Sequence, residues 1–171
     1  MDWESIKDRF YDGKQRDYYQ MGAEFEDYVM DLFPADKFDL LHRTIGQAQV
    51  GRYVEDCTYP DLKFRSCDNW YHFWVECKYR SRLEPNGNLI WTDFEHLDRY
   101  LQIFWETGVE VFVIIGVGGS PKRPNHLYLI SLRNTAYKEI FASVLKRAEI
   151  DGEPFESIAD LWGICANNLP L

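Results

Sequence analysis

The sequence has no uninterrupted apolar run of about 18 residues, the length a membrane-spanning helix requires, and so predicts no transmembrane segment. Its first residues, Met1-Asp2-Trp3-Glu4-Ser5, are polar and acidic and lack the basic start and apolar stretch of a secretory signal. Cysteine is sparse and scattered. Cys57, Cys67, Cys77 and Cys165 form no Cys-x-x-Cys pair, which argues against zinc and for reduced thiols in a cytoplasmic protein. No internal repeat, low-complexity tract or long linker divides the 171 residues. The expectation is one domain over 1–171, with a core over about 18–132 and a helical segment over about 133–171. Positive charge is also short: 19 Lys and Arg against 28 Asp and Glu leave a net charge of −9. That balance counts against a protein that coats nucleic acid, because nonspecific affinity comes from neutralising phosphates.

What the chain does have is aromatic side chains, 16% of its residues, and a local concentration of basic ones. Lys63, Arg65, Lys78, Arg80 and Arg82 crowd one stretch, and Lys122 and Arg123 make a second basic point. The first stretch alternates with period two, the signature of half-buried strands. Leu62 and Phe64 share one side, and Asp61, Lys63 and Arg65 the other. Further on, Phe73, Val75 and Cys77 share a side opposite Trp74, Glu76, Lys78 and Arg80. Between them Cys67-Asp68-Asn69-Trp70 holds an Asp-Asn pair suited to a tight turn. A turn centred between Asp68 and Asn69 makes opposite residues sum to 137, so Phe64 faces Phe73, Leu62 faces Val75 and Asp61 faces Glu76. The two apolar sides then coincide, as a buried face demands. Opposite Cβ atoms lie roughly 4.5–5.5 Å apart, and two carboxylates that close repel unless a cation separates them. Magnesium suits such a place, since it takes one or two carboxylates together with waters and substrate phosphates.

Along the rest of the chain the patterns predict a weak short helix over 3–11 and a stronger one over 16–33, closed by Pro34. Strands follow over 38–44, 53–65 and 70–80, with a turn over 46–51 and a loop over 84–88. Thr92-Asp93-Phe94-Glu95 reads as a capping box with Thr92 at the cap. The helix it opens is expected to bury Phe94, Leu97, Leu101 and Phe104 and to end at Gly108. The continuous apolar run over 109–117 reads as a central buried strand, broken by Gly118-Gly119-Ser120-Pro121. A strand over 126–132 and helices over 137–148 and 155–165 complete an α/β (α+β) domain with a mixed central sheet flanked by helices.

A helix, three strands, a helix and a strand, with Pro60-Asp61 on one strand and Glu76-Cys77-Lys78 on the next, resembles the PD-(D/E)XK nuclease superfamily and its restriction-endonuclease-like αβββαβ core. The resemblance runs from Tyr18 to Leu132 and identifies no subfamily. The triplet alone is weak, since Asp12-Gly13-Lys14 and Asp61-Leu62-Lys63 also match it. Only Glu76-Cys77-Lys78 lies in an alternating strand with a Pro-Asp in compatible register. The resemblance implies that Asp61 and Glu76 bind a Mg²⁺ or Mn²⁺ ion, that the Cys77 backbone carbonyl adds a ligand, and that Lys78 acts on the attacking water or the phosphate. It also implies a further acidic residue on the first helix, for which Glu26 in Gly22-Ala23-Glu24-Phe25-Glu26-Asp27-Tyr28 is the best match.

The chemistry expected is metal-dependent hydrolysis of a phosphodiester, with DNA as the leading substrate and a homodimer or a protein partner as further options. Two nearby carboxylates push the Lys78 pKa upward, which favours positioning and charge stabilisation over base catalysis. Arg80, Trp74, His96, Arg99 and Tyr100 are candidates for touching substrate, Trp74 by stacking on a base. The competing reading of Asp61 and Glu76 is a solvated face, salt-bridged to Lys63 and Lys78. Glu26 could equally be an ordinary polar helix residue, and His96, Arg99 and Tyr100 a helix surface. The Gly116 to Gly119 run is a strand end rather than a phosphate loop, because no Lys-Ser or Lys-Thr follows it. Two other functional classes stand beside the nuclease. One is a catalytically inactive nuclease-fold binding module, an acidic partner or immunity-type protein, which the net charge supports. The other is a small-molecule enzyme using the same carboxylates.

Overall fold

Two separate helices are expected near the N-terminus, and one is found. The computed structural model describes residues 3–44, 59–134 and 136–166, with side chains from residue 17 onward. Its first element is a single 29-residue helix, α1 (Trp3–Asp31). Gly13 does not interrupt it, since a glycine inside a helix costs only about 1 kcal/mol. Phe33 N–H donates to the Met30 carbonyl, and the Pro34 carbonyl accepts from both Lys37 and Phe38, so the chain turns directly into β1 (Phe38–Arg43). The turn expected over 46–51 and the first part of the strand expected over 53–65 lie outside the described residues.

The hairpin follows the expected register. β2 (Leu62–Ser66) and β3 (His72–Arg80) pair Leu62 with Val75, Lys63 with Trp74, Phe64 with Phe73 and Arg65 with His72. β4 (Leu89–Ile90) then precedes α2 (Phe94–Thr107). The cap of α2 is Asp93 rather than Thr92: its carboxylate accepts from the His96 N–H, and Thr92 is buried. A carboxylate also complements the positive end of the helix. Gly108 ends α2 in the left-handed region, at φ 68. The buried stripe also differs from the expected one. Leu97 and Tyr100 are buried, whereas Phe94 is 67% exposed.

β5 (Glu110–Ser120) and β6 (Arg123–Ser131) form a second hairpin. The expected break at Gly118 does not occur. Gly118 and Gly119 take positive φ within β5, and the strand runs on to Ser120. The helix expected over 137–148 is instead β7 (Glu139–Ile140), α3 (Ala142–Ala148) and β8 (Glu149–Ile150). The last helix is α4 (Ile158–Ala166).

The main sheet has the order β1-β2-β3-β5-β6-β8, parallel between β3 and β5 and antiparallel elsewhere, and β4 pairs with β7 in a small second sheet. α2 makes the crossover between the two parallel strands, as such a connection requires. One face is apolar and strongly aromatic: Phe25 and Val29 of α1 and Phe33 just after it meet Leu62, Phe64, Phe73, Val75 and Phe112. On the other face Trp91, Leu97 and Tyr100 cover Trp74, Val111, Val113 and Ile115. Strand alternation sends Cys77 to the first face and Glu76 into the second.

Candidate active site

Glu76 is 1% exposed, an unusual environment for a carboxylate. Its Oε1 accepts from the Tyr100 hydroxyl at 2.7 Å and lies 2.5 Å from Lys78 Nζ. Its Oε2 is buried and has no hydrogen-bond partner. Leaving such an oxygen unanswered is costly, and a polar group of this kind calls for a ligand or a role.

Asp61 sits one residue before β2, where the ladder to β3 has run out. Its Oδ2 accepts from the Cys77 backbone N–H at 2.8 Å, taking the place of a missing strand partner. The position is held from behind: the Thr44 N–H donates to the Asp61 carbonyl, and the Thr44 hydroxyl to that of Pro60. Burial, then the charges of Glu76 and Glu26, push the Asp61 carboxyl well above its ordinary range against the opposing pull of Lys78 and the Cys77 N–H. For Lys78, burial favours the neutral amine, but Glu76 and Asp61 outweigh it and the net shift is upward. A lysine so placed stays protonated at neutral pH.

Glu26 lies at the edge of this field. Its Oε2 accepts from Arg43 Nε at 3.1 Å, and Arg43 also reaches Asp27 at 2.8 Å. Burial, opposed by Arg43 and aided by Glu76 and Asp27, raises the Glu26 pKa. Among the described residues no three His, Cys, Asp or Glu side chains gather into a ligand cluster, and Glu26 meets the site through charge, acting on both Asp61 and Glu76. α1 packs on the sheet face opposite Glu76, and Arg43 bonds the Glu26 carboxylate. The Cys77 thiol points into the apolar core, where burial lifts its pKa well above the ordinary value.

The substrate-touching candidates fare differently from expectation. Tyr100 is buried, not presented to a ligand; it holds Glu76, and burial together with that carboxylate pushes its phenol pKa far upward. Trp74 is 5% exposed, with Tyr59 stacked on it at 5.4 Å and Lys63 Nζ 5.0 Å from its ring centre, so it offers no free face to a base. Arg80 spends its guanidinium on backbone carbonyls, those of Tyr79, Ile90 and Trp91, tying β4 to β3. His96 bonds the Asp93 carboxylate through Nδ1 at 2.8 Å, as part of the helix cap. Arg99 is half-buried on α2, and its charge acts on Tyr100.

No protein-family model matches the chain, and no characterised protein matches it in sequence. A solved structure does. The Holliday junction resolvase Hjc of the archaeal hyperthermophile Archaeoglobus fulgidus superposes with a TM-score of 0.52 at 16% identity, over 73% of this chain and 92% of that one. Hjc is a member of the PD-(D/E)XK nuclease superfamily. The fold here is the restriction-endonuclease-like fold. In that fold the two residues that sequence reasoning had not assigned, Arg43 and Tyr100 as a carboxylate holder, support the site from neighbouring elements. Tyr100 was open to discovery, because it stands three residues from Leu97 and so shares its buried helix face. Arg43 offered no such signal, since a basic residue ending a strand is ordinary.

Proposed function

We infer that this chain is a metal-dependent nuclease acting on DNA, a single nuclease-like domain working in a reducing, cytoplasmic compartment. The observation that carries the reading is the buried Glu76, whose Oε2 has no partner in the protein, beside an Asp61 carboxyl driven up by burial and then by that same charge. Two oxygen-bearing groups that repel each other in the bare protein fit a hard divalent cation, Mg²⁺ or Mn²⁺, which needs only one or two carboxylates and keeps its waters. Asp61, Glu76 and the Cys77 carbonyl would hold it. Such an ion supplies a water of lowered pKa and neutralises charge on phosphate.

The remaining work falls to the chain's own groups. Lys78, kept protonated by its two carboxylate neighbours, orients the attacking water and offsets charge on the phosphoryl oxygens; it does not accept a proton. Tyr100 fixes the Glu76 rotamer through its hydroxyl, acting as a positioning residue. Glu26, bonded to Arg43, adds negative potential at the margin of the site. The wall of Trp91, Leu97 and Tyr100 lowers the local dielectric and strengthens each of these interactions.

The test is a titration of Mg²⁺ and Mn²⁺ against the wild type and Asp61→Ala, reading metal binding by calorimetry and plasmid nicking on gels. The expected result is saturable binding and nicking by the wild type and loss of both in the variant. Nicking that persists in a chelator, or a wild type that neither binds metal nor cleaves, removes this reading.

A further inference from the structure

Trp70, at the tip of the β2–β3 hairpin, has φ 60, among the described residues the sole non-glycine residue at positive φ. Bulky side chains avoid this region, whereas Asn enters it readily. Asn69 stands directly before it, yet the turn gives the left-handed place to the tryptophan. The turn is well determined: Ser66 N–H donates to the Tyr71 carbonyl, Trp70 N–H to the Ser66 carbonyl, and Tyr71 N–H to Asn69 Oδ1. The indole that this backbone holds up is 66% exposed, and one of its faces lies on the Arg65 guanidinium, 4.4 Å from the ring centre. Backbone strain at an exposed aromatic is a pointer to function.

The hairpin register connects this tip to the carboxylates. Arg65 pairs with His72, and Lys63 with Trp74. Asp61 continues the same side of the strand, as does Glu76. One side of the hairpin therefore runs as a strip from Trp70 past Arg65, His72 and Lys63 to the site, with Tyr59 stacked on Trp74 beside Lys63. His72 is exposed, and Lys63 and Arg65 are half-buried. From Asp61 to Arg65 the strip spans about 13 Å, roughly four nucleotide steps at base-stacked spacing. Lys63 and Arg65 are its cations, on a chain whose net charge is −9. Asp39 offsets Arg65 within it, at 2.5 Å.

We propose that this strip is the track for a single-stranded segment of the substrate, with Trp70 stacking on an unpaired base while Lys63 meets the backbone phosphates. The inference rests on the nuclease reading and narrows it to DNA that has unpaired bases beside the cleaved bond, such as an overhang, flap or branch. Aromatic platforms backed by cations suit unpaired bases, because every base offers a π face and a stacked duplex does not.

The experiment measures fluorescence anisotropy, with Ca²⁺ in place of Mg²⁺, for three labelled probes: a single strand, a blunt duplex, and that duplex with a single-stranded overhang. Wild type is compared with Trp70→Gly, Trp70→Phe and Lys63→Ala. The expected result is tighter binding of the two probes with unpaired bases, a loss of about 5- to 100-fold on those probes alone for Trp70→Gly, and rescue by Trp70→Phe. Lys63→Ala should lower the single-strand salt slope by about 0.7. Trp70→Gly relieves the positive φ, so its Tm should stay within about 2 °C of wild type or rise. If Trp70→Gly unfolds early yet binds every probe normally, the residue is structural and the track is wrong. A wild type that cleaves DNA while ignoring unpaired bases overturns this proposal and spares the nuclease reading; a wild type with neither metal binding nor cleavage overturns both. Concentration-dependent dimerisation abolished by Trp70→Gly, with DNA binding unchanged, would reassign the tip to self-association.

Discussion

Two glutamates lie buried on the neighbouring parallel strands β3 and β5, Glu76 at 1% exposure and Glu110 at 0%. The protein treats them differently. Both oxygens of Glu110 are answered. Oε1 accepts from the Ser131 hydroxyl at 2.8 Å, and Oε2 lies 3.2 Å from Arg133 as an ion pair rather than an aligned hydrogen bond. Arg133 is in turn placed between the Phe104 and Trp162 rings, pinning α2 and α4 to the sheet. Glu76 has Tyr100 and Lys78 on one oxygen and nothing on the other, with a second carboxylate beside it. A buried charge needs pairing and hydrogen bonds to be tolerable. Glu110 meets that requirement from within the chain, which marks it as structural. Glu76 meets half of it, the deficit that the proposed metal ion would make good.

The comparison breaks most visibly in activity. Glu76→Gln should abolish metal binding and cleavage, whereas Glu110→Gln should leave cleavage per folded molecule within about twofold; plasmid nicking normalised to folded protein measures both. Equal losses would mean that both glutamates serve one network. Lys78→Ala comes next. It should lower turnover by about 10²–10³ while metal affinity stays within a few-fold, because it removes a positioned cation and no ligand. Single-turnover kinetics with calorimetry separates the two effects.

Stability should sort the pair the other way. Arg133→Ala leaves Glu110 buried with one partner and should cost about 1–3 kcal/mol, the range for a buried polar atom left unanswered, since the outer side of Arg133 is in solvent. Urea unfolding reads this directly. The same scale sharpens the account of Asp61. Its folded pKa lies above its ordinary 3.8, so the folded protein holds that proton more tightly than the unfolded chain does. The stabilising contribution is therefore full below 3.8 and is lost as pH rises through the folded value. Metal-free Asp61→Asn should melt higher than wild type at pH about 7.5 and converge with it toward pH about 4, while added Mg²⁺ raises the wild-type Tm alone. A variant less stable than wild type at neutral pH would contradict the repulsion between Asp61 and Glu76. The smallest effect expected is that of Tyr100→Phe, which removes one donor to Glu76. Turnover should fall about tenfold with little change in Tm, since a typical hydrogen bond contributes about 0.5–1.5 kcal/mol net.

Much of the fold was legible because alternation is a local property. The side-chain period of two placed Leu62 with Val75 and Phe64 with Phe73 before any coordinates, and the Gly108 stop of α2 followed from glycine's ease at positive φ. Misreadings occurred where two local signals competed. Thr92 and Asp93 both cap well, and the same helical spacing that admits Phe94 beside Leu97 also admits Tyr100, which is the one that entered the core. In 137–148 helical spacing overrode a two-residue strand, because β7 exists only through its pairing with Leu89 and Ile90.

By itself the sequence determined the hairpin register from Leu62 to Arg65, the central apolar strand and the placing of Glu76 and Lys78 on one side of β3, since each depends on residues near in the chain and on fixed backbone periods. Tertiary structure alone decided that Glu76 would be buried with one oxygen unanswered, that Trp74 would be covered by Tyr59, that Arg43 would claim Glu26, and that Tyr100 would turn from a surface candidate into the support of a carboxylate. Those outcomes depend on how helices from distant positions lie across the sheet. Burial and unmet hydrogen bonds are properties of such packing, and no alternation or spacing along a single chain encodes them directly.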